Sequence, residues 1–234
     1  MLRAALCCLA LAGLAAGDNE ELKLAPLAGP QRHLMVRPVD RHDDQLSVTL
    51  GFMPVDIDVD EKELKTTVGG WLFLSWQNSR LAWSGGPVER TRIMPGDMWT
   101  PDIYPYNMVP TVSEWLLPTP ALVSRSGEVI YVPPVSVQVR CRRQQASNPD
   151  RIVCPLKLGS WTYSTDQVDL KRQSNSVDLS GYEPAGRWVI ESSSIARIDK
   201  QYPCCPESYV TLEIELVLVR NVQGGADSCS AGRG

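Results

Sequence analysis

From Val210 to Leu218 every second residue is apolar: Val210, Leu212, Ile214, Leu216 and Leu218, with Thr211, Glu213 and Glu215 between them. A helix would scatter these residues around its circumference, whereas a strand puts them all on one face. A second such run starts at Leu46, where Leu46, Val48, Leu50 and Phe52 alternate with more polar positions. Past Pro54 the phase slips, and Val55, Ile57 and Val59 oppose Asp56, Asp58 and Asp60. A slip of one residue inside a strand-like run marks a bulge or a corner near Met53-Pro54. Val129 and Tyr131 alternate with Ile130 and Val132 after Ser124-Arg125-Ser126-Gly127, which reads as a hairpin. Long helical patterns are nearly absent. Only Glu20–Leu24 suggests a short helix, closed off by Pro26, Gly29 and Pro30. Short strands separated by Pro and Gly predict an all-β sandwich or barrel, in one domain without repeats. The polar, irregular stretch 166–186 is expected to be a long surface loop.

The first 17 residues stand apart from this pattern. Arg3 precedes an apolar run from Ala4 to Ala16 that ends in small residues before Asp18. That layout is a secretory signal peptide, and the run is shorter than the roughly 20 residues a membrane span needs. The expected organisation is therefore a signal peptide over 1–17, a domain over 18–222 and a tail over 223–234. The chain has 23 basic and 27 acidic residues, with no basic cluster long enough to track phosphates. Nucleic acid is an unsuitable partner, and no later stretch is fit for membrane insertion, so the expected product is secreted and extracellular.

Five cysteines lie beyond the signal segment: Cys141, Cys154, Cys204, Cys205 and Cys229. An oxidising compartment makes disulfides the default, and an odd count leaves one thiol over. No pair has Cys-x-x-Cys spacing, and the two histidines, His33 and His42, lie far upstream. A zinc site or another metal is therefore not expected, nor is a cofactor. No nucleophile–base pair is evident either, which argues against an enzyme.

Cys204-Cys205 is the most informative pair. Neighbouring Cα atoms are about 3.8 Å apart, below the usual disulfide range of about 4.4–6.8 Å. Spacing alone leaves two options open, a bond between neighbours or bonds to distant partners. The surroundings, Tyr202-Pro203-Cys204-Cys205-Pro206-Glu207-Ser208-Tyr209, place a tyrosine on each side and prolines at a loop tip. Such a loop is better suited to covering a ligand than to filling a core.

Tyr-x-Cys-Cys-x-x-x-Tyr resembles the C-loop of nicotinic receptors and their soluble relatives, the acetylcholine-binding proteins. Four more segments agree in order. Trp99-Thr100-Pro101-Asp102 with Tyr106-Asn107 resembles the A-loop, and Gly159-Ser160-Trp161-Thr162-Tyr163 the B-loop. Trp71, with Trp76 and Trp83 after it, resembles the D-loop strand, and Cys141 and Cys154 enclose a segment like the signature cysteine loop. The resemblance covers roughly Leu46 to Val219. It implies an immunoglobulin-like twisted β-sandwich with a short N-terminal helix, assembled as a ring homopentamer. It also implies the bonds Cys141–Cys154 and Cys204–Cys205, leaving Cys229 as the odd thiol.

The implied ligand is a small cation such as acetylcholine or related nicotinic agonists and antagonists. A quaternary ammonium spreads its charge over methyl groups and forms no strong hydrogen bond, so aromatic faces are its natural partners. The resemblance puts Tyr106, Trp161, Tyr202, Tyr209 and the Cys204-Cys205 pair on one subunit, and Trp71 on its neighbour. Leu122, Ile130 and Val132 would form the neighbour's remaining wall, all aliphatic and apolar. Of the other tryptophans, Trp76, Trp83, Trp115 and Trp188 read as core. Two departures stand out. Lys157 is present, but Thr211 occupies the position where the family commonly has its acidic partner. The segment between Cys141 and Cys154 is hydrophilic, unlike the aromatic tip of channel-forming relatives, which suits a binding protein without an ion channel.

Overall fold

The computed structural model describes residues 34–110, 114–145 and 147–221. The signal segment, the Glu20–Leu24 helix, Cys229 and the 223–234 tail lie outside the described residues. Twelve strands follow in chain order: β1 (Leu46–Asp60), β2 (Lys65–Gln77), β3 (Arg90–Ile93), β4 (Ile103–Pro105), β5 (Ala121–Ser124), β6 (Glu128–Tyr131), β7 (Pro134–Arg140), β8 (Arg142–Gln145), β9 (Asn148–Ser160), β10 (Val168–Arg172), β11 (Trp188–Gln201) and β12 (Ser208–Arg220). They form two sheets. The larger runs β10-β1-β2-β6-β5-β3, with β7 also pairing β2, and the smaller runs β11-β12-β9-β4, with β8 on β9. Apart from the parallel β1–β10 pair, the ladders are antiparallel.

The inward faces pack as a β-sandwich. Leu50, Leu72, Leu74, Leu156, Leu158, Leu212 and Ile214 are fully enclosed in one core cluster. Burying each such side chain contributes about 1.5–3 kcal/mol, so the alternating face of β12 alone is a large part of the fold's driving force. The phase slip at Pro54 is a β-bulge: Pro54 faces Gly70 and Asp56 faces Gly69, leaving Val55 as the extra residue. β1 continues past it within the same sheet. Among the described residues no helix is long and apolar enough to cross a membrane.

One expectation needs correction. The stretch 166–186 is not loop throughout, because Val168–Arg172 forms β10 beside the start of β1. Val168 and Leu170 are fully buried, and Asp169 is held by Arg197 at 2.7 Å. Its short Val-Asp-Leu-Lys-Arg alternation was too brief to outweigh the polar residues around it.

Candidate ligand-binding site

Trp161 sits just past β9, in a turn wound around one carboxylate. Asp102 Oδ1 accepts a bond from Ser160 Oγ at 2.5 Å, and Oδ2 accepts from Thr162 N and Thr162 Oγ1 at 2.8 and 2.6 Å. The Trp161 N–H donates to the Asp102 carbonyl at 3.0 Å. Ionised acceptors make the stronger hydrogen bonds, so this clamp fixes where the indole stands. The indole itself is 62% exposed, an arrangement a core tryptophan would not adopt. The core tryptophan of this region is Trp99, packed edge-on against Trp76 at 6.0 Å.

Tyr106 follows β4, and its backbone N–H donates to the Lys157 carbonyl at 2.8 Å. Asn107 reinforces the junction, accepting from Lys157 N and donating to the Pro155 carbonyl, both at 2.8 Å. The Tyr106 ring meets Trp161 edge-on at 5.9 Å, and its hydroxyl donates to the Ser160 carbonyl. The ring lies so close to β9 that a Cβ on Gly159 would stand 2.8 Å from Tyr106 Cζ. Burial, with the neighbouring Tyr202, Asp102 and Tyr209, pushes the Tyr106 hydroxyl up to about 12. It is therefore a neutral hydrogen-bond donor at any physiological pH.

Tyr202 and Tyr209 flank the tip of the β11–β12 hairpin, their rings 6.0 Å apart at 66°. The tip carries the Cys204–Cys205 disulfide, with Cys205 N donating to the Tyr202 carbonyl at 3.1 Å. Tyr106, Trp161, Tyr202, Cys204, Cys205 and Tyr209 together line one cavity of about 450 Å³ that opens to solvent. All six come from the motifs singled out in the sequence. Another cavity, about 570 Å³, lies past Tyr104 and Trp115 and has no part of the C-loop in its wall.

Trp71, Leu122, Ile130 and Val132 are not part of that cavity. Trp71 is 43% exposed on β2, while its neighbour Leu72 is fully buried, so the indole faces outward from the larger sheet. Leu122 and Ile130 are opposite each other in the β5–β6 register and half-buried. Val132 follows directly after β6 and is also half-buried. The chain thus carries an exposed aromatic cluster on its smaller sheet and an outward-facing tryptophan with aliphatic residues on its larger one.

The Lys157 question resolves by register. Thr211 faces Gly159 and is buried, whereas Glu213 faces Lys157 and pairs with it at 2.6 Å. An acidic partner for Lys157 thus stands two residues beyond Thr211 on the same face of β12. Sequence reasoning missed Glu213, although its alternation with Thr211 was visible. It also missed Tyr104, whose ring lies 5.7 Å from Trp161 and 6.1 Å from Trp115. Among the tryptophans assigned to the core, Trp76 and Trp188 are buried, while Trp83 and Trp115 only pack against its edge.

At the far end of the sandwich, Cys141 is bonded to Cys154 across the β8–β9 hairpin. The hairpin is exposed and charged, with Arg142 on Glu215 at 2.6 Å and Asp150 on Arg220 at 2.6 Å. Arg220 also grips Glu61 with two bonds of 3.1 Å, and the Trp188 indole donates to the same carboxylate at 3.0 Å. The Arg220 bonds, then Trp188, hold the Glu61 carboxyl down at about 2.

Residues 31–222 match the model of the neurotransmitter-gated ion-channel ligand binding domain. The chain belongs to that family. It is similar to the acetylcholine receptor subunit alpha-type acr-16 of Caenorhabditis briggsae, 34% identical over 189 residues, 79% of this chain and 38% of the relative. The Caenorhabditis elegans acr-16 subunit is 31% identical over 218 residues, 91% of this chain and 44% of the relative. The human neuronal acetylcholine receptor subunit alpha-2 is 32% identical over 189 residues, 79% and 36%. The chain spans less than half the length of these curated relatives. The family is a receptor module and not an enzyme.

Proposed function

We propose that the protein is a secreted binding protein for acetylcholine and related cationic nicotinic ligands, acting without an ion channel. The observation that carries this is the solvent-open cavity of about 450 Å³ walled by Tyr106, Trp161, Tyr202, Tyr209 and the Cys204–Cys205 disulfide. No described carboxylate lines it, so attraction for a cation comes from ring faces, each contributing up to about 2 kcal/mol where water is excluded. Trp71, Leu122, Ile130 and Val132 supply the second wall from an adjoining subunit. One set of residues on each of two faces calls for a head-to-tail interface, which forms a ring when its rotation closes, here proposed to be a homopentamer. The test is calorimetric titration of the secreted protein with acetylcholine alongside light scattering. Binding at one site per subunit in a pentamer supports the reading. A monomer that binds stoichiometrically, or a pentamer that ignores acetylcholine, refutes it.

A second reading is the extracellular domain of a ligand-gated channel subunit, because the relatives are receptor subunits more than twice as long. The charged, exposed cysteine-loop hairpin supports the channel-less alternative, since its tip is built for water. A transcript that reads on from Gly234 into membrane spans would favour the channel.

A further inference from the structure

The β11–β12 hairpin sets a charge against one ring of the aromatic cavity. Lys200 stands opposite Tyr209 in the antiparallel register, so both side chains leave the same face of the sheet. Tyr202 lies two residues on. Lys200 Nζ is 4.7 Å from the centroid of the Tyr202 ring, inside the roughly 6 Å reach of a cation–π contact. Neighbouring cations on the same sheet have carboxylate partners: Lys157 has Glu213, and Arg197 has Asp169 and Asp199. Lys200 forms no ion pair with any described residue. An uncompensated ammonium therefore rests on one of the rings that line the cavity.

We propose that Lys200 is a tethered cation that sets the ligand selectivity of the site. Its ammonium occupies the Tyr202 ring while the cavity is empty and leaves it when a cationic ligand enters. This rests on the aromatic-box reading and refines it. A cationic ligand must displace the lysine from the ring and then sit near a like charge. A neutral ligand of the same shape also displaces the lysine but meets no such repulsion. Lys200 thereby holds down affinity for simple cations and narrows the margin by which the box prefers a charged ligand to an uncharged one.

The test compares acetylcholine with its uncharged carbon isostere, in which a tert-butyl group replaces the trimethylammonium. Lys200→Gln tightens acetylcholine binding by about three- to tenfold and tightens isostere binding by clearly less, since only the cation is relieved of repulsion. Lys200→Arg, which keeps the charge over the ring, binds acetylcholine like the parent. Equal affinity of parent and Lys200→Gln for acetylcholine overturns the inference and leaves the box standing. So does an equal gain for the isostere. If neither protein binds acetylcholine, the box reading fails and this inference fails with it.

Discussion

Gly159→Ala is a one-carbon test of how the candidate site is built. The added Cβ would lie 2.8 Å from Tyr106 Cζ, 2.9 Å from its hydroxyl oxygen and 3.0 Å from Thr211 Cγ2. Two of these contacts fall on the half-buried Tyr106 side chain, and below 3.0 Å they cannot be absorbed without moving it. Overpacking of this kind costs about 1–3 kcal/mol, and loss of the Tyr106–Ser160 hydrogen bond adds about 1 kcal/mol. Reduced freedom of the unfolded chain returns about 0.4–1 kcal/mol. The net is a loss of about 2 kcal/mol, which for a domain this size lowers Tm by roughly 4–8 °C. Gly69→Ala is the matched control on another strand, since its Cβ would meet only Asp56 Cβ, at 4.0 Å. It is expected to be neutral or slightly stabilising. Thermal unfolding gives the stability difference, and calorimetry with acetylcholine should show Gly159→Ala about fivefold weaker as the ring shifts. If the two alanine variants melt and bind alike, the close packing of Tyr106 on β9 is not what shapes the site.

Trp161→Ala is expected to weaken acetylcholine binding by about 2 kcal/mol, on the order of thirtyfold, with Trp161→Phe intermediate and the assembly intact; calorimetry with light scattering checks both. Replacing Cys204 and Cys205 together by serine should leave the far-UV spectrum and Tm nearly unchanged, because the tip is exposed, while weakening ligand binding. Glu61 gives a pH prediction. Its folded carboxyl titrates at about 2 against 4.5 unfolded, so the unfolded chain takes up the proton first as pH falls. The stabilisation is complete above about pH 4.5 and is lost towards about pH 2. Glu61→Gln should flatten that part of the stability curve in acid titrations of Tm.

Much of the fold was legible because burial leaves a period. The β12 residues Val210 to Leu216 alternate apolar with polar, and the Val55 bulge announced itself as a change of phase. β10 was not legible, since a five-residue parallel edge strand has too few apolar positions to register against polar neighbours. The aromatic cavity was readable because its members sit in short motifs whose order is retained. Asp102 as the clamp of the Trp161 turn, Tyr104 as its exposed neighbour and Glu213 as the partner of Lys157 depend on cross-strand register. Register pairs residues from segments far apart in the chain, and no local pattern announces it. The half-buried positions of Trp83 and Trp115 have the same cause, for hydrophobicity predicts packing but not how near the edge it falls.

Trp161 and Trp71 stand on opposite sheets of one chain, and that separation has a genetic consequence. In a head-to-tail ring each site would draw one tryptophan from each of two subunits. Trp161→Ala and Trp71→Ala subunits are each expected to form assemblies with every site damaged. Mixed in equal amounts, they should regain about a quarter of the sites with both tryptophans intact, wherever a Trp71→Ala subunit's undamaged Trp161 meets a Trp161→Ala subunit's undamaged Trp71. Two inactive proteins would thus complement each other without either being repaired. Complementation of that size would identify the site as shared between neighbours, and its absence would place both tryptophans' roles within a single chain.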